Sequence, residues 1–97
     1  MHIDADKLVW NLENTNNSEK FFVYDENHPI LEKVACVMLQ FGILNCYPVI
    51  DDEIMWSENI CFMCLDDCDT KSFSDISDEI LDSFFRKCED EICKYYE

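Results

Sequence analysis

The segment from Ile30 to Leu44, ILEKVACVMLQFGIL, is the only long stretch whose apolar residues fall on nearly every side. Only Glu32, Lys33 and Gln40 interrupt it before Phe41, which predicts a helix buried over most of its surface. Pro29 suits a first-turn position with Asn27 or His28 as cap, and Gly42 suits the left-handed residue that stops a helix. From Ser74 onward the apolar positions recur at helical spacing. Ile76, Ile80, Leu81, Phe84, Phe85, Cys88, Ile92 and Tyr95 form one stripe, predicting an amphipathic helix from about Asp75 to Tyr95.

The rest of the pattern is shorter. Asp4 or Asp6 is placed to cap a brief helix with Leu8 and Leu12 on one face, Val9 beside them and Trp10 off the stripe. The polar NTNNSEK reads as a surface loop, and Phe21 to Tyr24, apolar on both faces, as a covered strand. Between Ile43 and Leu65 the pieces ILNCYPVI, IMW and ICFMCL, separated by DDE and SEN, predict an antiparallel meander of two or three strands. Pro48 marks an edge or a bend in it. Asp66 to Ser74 is an acidic loop. The expected fold class is α+β. A small single domain over residues 1–97 holds a short antiparallel sheet, packed by a buried central helix and an amphipathic acidic C-terminal helix.

Composition adds the sign of the surface. Seven Lys and Arg stand against 22 Asp and Glu, a formal charge of −15, while 48% hydrophobic residues supply a core that a disordered acidic tail would lack. The charge is lopsided: from Asp51 to Glu97 there are 15 acidic and 4 basic residues, against 7 and 3 before them. Such a field repels nucleic-acid phosphates and anionic membranes and attracts basic protein surfaces. Direct nucleic-acid or membrane binding is thereby excluded as the leading reading, and a basic partner protein is favoured.

The acids also have a pattern. Asp75, Asp78, Glu79 and Asp82 are spaced i, i+3, i+4, i+7 and share one face of the predicted helix. Seven steps span roughly 10 Å, a charge density near that of one strand of B-DNA, about one per 3.4 Å. A solvated helix face explains part of this, since acids favour the helix N-terminus while their mutual repulsion opposes it by a similar amount. The like-charged run reaches further, however. Asp51, Asp52, Glu53, Glu58, Asp66, Asp67, Asp69, Asp75, Asp78, Glu79 and Asp82 are interrupted by one cation, Lys71, and form the candidate partner-binding set.

Seven cysteines are many for 97 residues. MHIDADKLVW has no basic stretch leading into an apolar one, so reduced thiols in a cytoplasmic protein are expected, several of them core residues. Cys61, Cys64 and Cys68 with Cys88 are the one set that suggests a structural zinc. Phe62 and Met63 inside the first pair leave no glycine for a knuckle turn, and alternation along a strand would point Cys61 and Cys64 to opposite faces. No cofactor or metal is therefore assigned. A calcium loop in DDCDTKSFSDISDE lacks the glycine and the closing glutamate it needs. His2 and His28 stand alone, and no catalytic signature accompanies them or any cysteine. No apolar run approaches the ~20 residues of a membrane span.

In size, acidity and lack of a catalytic motif the chain resembles two groups of small stoichiometric inhibitors. One comprises phage-encoded nucleic-acid mimics that block restriction or CRISPR nucleases; the other, bacterial immunity proteins that neutralise toxins. The resemblance is compositional and carries over no residues. It implies a non-enzymatic inhibitor, monomeric or homodimeric, of anti-CRISPR or anti-restriction type, with a toxin-neutralising immunity protein as the alternative. A small zinc-stabilised cysteine module is the alternative from another class.

Overall fold

The apolar run after Glu32 forms the longest strand of an antiparallel sheet. The computed structural model describes residues 3–11, 18–25 and 32–97. Its strands are β1 (Leu8–Asn11), β2 (Glu19–Tyr24), β3 (Glu32–Gln40), β4 (Ile43–Ile50), β5 (Glu53–Ile54) and β6 (Cys61–Cys64), followed by one helix, α1 (Asp78–Tyr95). The order across the sheet is β1-β2-β3-β4, with β5 and β6 both pairing β4 at its two ends. The α+β class holds, with more strands among the described residues than the pattern predicted.

The predicted central helix is corrected to β3. Val34, Ala35, Cys36 and Val37 are buried in succession because β3 lies between β2 and β4 and is covered on both faces there. A strand covered on both faces reads as a continuous apolar run, as a buried helix does, and periodicity alone does not separate them. Gly42 is likewise corrected. Phe41 (φ 53°) and Gly42 (φ 72°) are the two central residues of a tight turn joining Gln40 to its partner Ile43. Positive φ at both positions is the type I′ geometry that matches the twist of a hairpin. The helix cap assigned to Asn27, His28 and Pro29 lies outside the described residues, as do Leu12 and His2.

The opening helix is corrected: Leu8 and Val9 lie in strand β1, paired to β2, and only Ala5–Lys7 before them forms a helical turn, a 3₁₀ one with Asp4 accepting from the Asp6 N–H at 3.1 Å. Trp10, on β1, packs edge-on against Phe22 with ring centres 4.6 Å apart, and against Phe85 at 5.9 Å. Phe21 to Tyr24 is a strand as expected, internal to the sheet. Pro48 stands within β4 rather than at an edge. The Met55 N–H donates to its carbonyl, so the nitrogen that lacks a proton faces the gap where β6 pairing has ended and β5 pairing has not begun.

Strand register sorts the side chains. Phe22, Ala35, Val37, Leu39, Leu44, Cys46 and Cys61 share one side of the sheet, and α1 covers that side with Phe84, Cys88 and Ile92. Each of the Phe, Leu, Ile and Val side chains among them contributes roughly 1.5–3 kcal/mol by leaving water, and alanine and the cysteines less. The predicted stripe is right at Phe84, Cys88 and Ile92, but Ile80 and Tyr95 are 41% and 37% exposed. Tyr96 packs against the core in place of Tyr95. The helix begins at Asp78, three residues later than predicted, where the Ser77 hydroxyl accepts from the Ile80 N–H at 3.3 Å. Among the described residues no helix is long and apolar enough to cross a membrane.

Candidate functional sites: an acid-rimmed groove and a buried thiol cluster

All eleven candidate acids are solvent-exposed, but the fold divides them. Asp51 and Asp52 are the central residues of the β4–β5 turn, with φ of 52° and 65°, a conformation that aspartate tolerates better than most residues. They and Glu53 lie at the far end of β4 from Ile43, roughly 23 Å away for seven steps of about 3.3 Å. Glu58 accepts a 2.6 Å hydrogen bond from the Tyr95 hydroxyl, which holds that phenol above its ordinary range. These four acids do not join the others.

The remaining acids gather near the Ile43 end. Leu65 N–H donates to the Gly42 carbonyl at 2.8 Å, so the segment leaving β6 is pinned to the β3–β4 turn. Asp67 then accepts from the Asp69 N–H at 2.9 Å and shapes the acidic loop. The next segment forms a 3₁₀ turn, Phe73–Asp75, with Phe73 and Ile76 buried as anchors, and hands over to α1. Asp75 therefore belongs to this turn and not to the helix; Asp78, Glu79 and Asp82 keep their common helix face. Asp78 and Glu79 occupy the first turn, where the helix dipole favours negative charge, and Asp82 pairs with Arg86 at 3.2 Å in solvent.

Between the loop and the start of α1 lies an open groove of about 350 Å³. Met63, Leu65, Ile76 and Ile80 give it apolar walls, and Asp66, Asp67 and Asp75 line it with carboxylates. Neither the Asp66 nor the Asp75 carboxylate has a hydrogen bond or ion pair among the described residues, and no Lys or Arg there pairs with any of the three groove acids. Apolar surface ringed by uncompensated anions accommodates a side chain with an apolar body and a cationic end, such as arginine or lysine, or an apolar anchor flanked by cations. Ile80 belongs to the predicted apolar stripe of the last helix, and its partial exposure is what forms this wall.

The thiols are rearranged more thoroughly. Cys64 and Cys68 are exposed, so the set Cys61, Cys64, Cys68 and Cys88 does not assemble. Cys61 and Cys88 do meet, with sulfurs 3.5 Å apart, and the third member is Cys46, the direct cross-strand partner of Cys61. The three sulfurs lie within 4.8 Å of one another, all buried, from β4, β6 and α1. Cys46 was missed because its role depends on the register between β4 and β6, although their similar ILNC and ICFMC pieces mark both as strands. S–H donation from Cys46 and Cys88 favours the thiolate of Cys61 and lowers its pKa, while burial and its two neighbours raise that of Cys88. Cys36 lies on the opposite side of the sheet, and burial pushes its thiol up to about 12.

No protein family matches the chain, and neither a curated protein nor a solved structure does.

Proposed function

We propose that the chain is a non-enzymatic acidic binding protein of the inhibitor type. It occupies a basic, nucleic-acid-binding surface of a partner protein, in the manner of the nucleic-acid mimics that block CRISPR or restriction nucleases. The observation that carries this reading is the groove in which Asp66 and Asp75 stand beside apolar walls without a counter-ion among the described residues. Leaving such carboxylates unpaired beside apolar surface gains nothing for folding, whereas a cationic partner gains Coulombic attraction and buries apolar area together. Asp67, Asp78, Glu79 and Asp82 extend the negative field along the same end of the molecule and steer a basic partner toward it. The net charge of −15 makes the chain a competitor of nucleic acid for the partner and not a ligand of nucleic acid. A cytoplasmic setting suits both such a target and reduced thiols.

Affinity capture from a host lysate tests the proposal. Wild type is compared with an Asp66→Asn, Asp75→Asn, Asp78→Asn, Glu79→Gln variant whose circular dichroism is unchanged, at low and high salt. The expected result is one nucleic-acid-binding protein retained by wild type alone and released by salt or by competing DNA or RNA. Equal recovery by both forms would overturn the proposal. Recovery of a toxin in place of a nuclease or its effector complex would move the same acidic surface to the immunity class.

A further inference from the structure

We propose that Cys46, Cys61 and Cys88 form a three-thiolate site for a soft d¹⁰ cation, with copper(I) as its ion. The geometry is that of a metal cradle. A metal–sulfur bond of about 2.3 Å places the sulfurs of a trigonal site roughly 4 Å apart. Here the pair Cys61 and Cys88 stands at 3.5 Å and all three sulfurs fall within 4.8 Å, so sub-ångström adjustments close the site. The ligands come from two adjacent strands and the helix packed over them, which fixes their directions from three sides. Filling a core needs small apolar side chains, but packing alone does not require three sulfurs to converge on one point. The other four cysteines are not part of any such cluster among the described residues.

The chemistry selects the ion. The donor set is sulfur only, which suits soft ions and rejects calcium and magnesium. Relative exposures of 0% for Cys46 and Cys88 and 7% for Cys61 leave the site shielded from water, and among the described residues no histidine or carboxylate joins the group. Structural zinc takes four ligands, so three thiolates in a dry core are one short for it and sufficient for copper(I). Lys87, whose ammonium donates to the Phe62 carbonyl at 2.9 Å, brings a positive charge to the strand that carries Cys61. Each thiol that binds releases its proton to solvent, and the bound ion ties β4, β6 and α1 together.

The test uses the full chain, reduced and free of oxygen, titrated with copper(I) supplied as its acetonitrile complex in the presence of bicinchoninate. A Cys64→Ser, Cys68→Ser, Cys93→Ser variant keeps the buried thiols while removing accessible ones. This variant is expected to withdraw one equivalent of copper(I) as tightly as wild type. Its X-ray absorption should show three sulfurs at about 2.3 Å and no lighter ligand, and its thermal midpoint should rise on loading. Cys46→Ala and Cys88→Ala, in forms that keep the circular dichroism of wild type, are expected to weaken retention at least tenfold. Loss of copper(I) retention in the triple serine variant would overturn the proposal, because binding would then belong to exposed thiols. Retention of zinc with a nitrogen or oxygen ligand, without retention of copper(I), would overturn it too. The triple variant keeps all three ligands and every fully buried core residue, touching the core only at its margin through Cys93, so the outcome stands even if the core substitutions unfold.

Discussion

The Tyr96 hydroxyl lies 2.7 Å from the carbonyl oxygen of Val34 and 2.9 Å from that of Val49. The β3–β4 ladder ends at Ala35 and Pro48, one residue short of both, and the register of β2 with β3 shifts at the same level. One phenol at the end of α1 thus serves two carbonyls where the sheet opens. Tyr96→Phe keeps the ring and removes the donor, leaving partly buried acceptors unsatisfied, at a cost of about 1–2 kcal/mol. The check is the urea midpoint, which should fall with no change in the slope of the transition.

The same phenol makes stability sensitive to alkali. Burial is the main cause that pushes its pKa up to about 12, from 10 for a free tyrosine. The unfolded chain therefore loses this proton at lower pH than the folded one, and the folded state binds more protons between the two values. Stability from Tyr96 is complete below pH 10 and is lost as pH rises toward 12. Wild type should accordingly lose stability more steeply than Tyr96→Phe across that window. Cys36, also raised to about 12, contributes equally to both proteins and drops out of the difference. Parallel slopes would show that water, and not the sheet, surrounds the phenol.

Asp51 and Asp52 illustrate how an acid earns its place through backbone shape. Both adopt left-handed φ in a two-residue hairpin turn, a geometry for which Asn-Gly is the preferred pair. An Asp51→Asn, Asp52→Gly variant should be more stable by roughly 0.5–1 kcal/mol in thermal unfolding, the loss of two negative charges acting in the same direction. Because this turn lies at the far end of β4 from the groove, the variant should also retain any partner that Asp66→Asn and Asp75→Asn release. Loss of the partner in the turn variant would extend the interface along the whole of β4.

How far the sequence carries can be followed through these residues. The last helix was legible because Phe84, Cys88 and Ile92 keep helical spacing, and β2 and β4 because short apolar pieces end in turn formers. The run from Val34 to Leu39 was not, since burial on both faces erases the alternation that marks a strand. Gly42 fits a helix stop and a hairpin turn equally well until its neighbours' positions are known. The acidic loop and helix start were legible as a charged surface, but their division into a groove and a distant turn depends on the direction of β4. The thiol cluster needed the pairing of Cys46 with Cys61, which is tertiary information.

The β3–β4 turn positions that groove, and its two residues should respond to substitution with opposite signs. A Cβ added to Gly42 would stand 2.6 Å from the Cys68 Cα and 2.7 Å from the Asp67 carbonyl oxygen, both backbone atoms of the acidic loop. With φ at 72° the alanine is also strained on its own, so Gly42→Ala should cost at least ~2 kcal/mol and push the loop off the turn. Phe41 is 78% exposed with φ of 53°, so its ring gains little from the fold while its backbone is strained. Phe41→Asn creates the favoured Asn-Gly pair and should be neutral or stabilising by a few tenths of a kcal/mol. Urea unfolding of the two variants reads the signs. Loop displacement is read separately by labelling Cys68 with an environment-sensitive probe in a Cys64→Ser background, where Gly42→Ala alone should shift its emission. A stable Gly42→Ala with unshifted emission would mean that the loop yields freely and that the groove is not set by this turn.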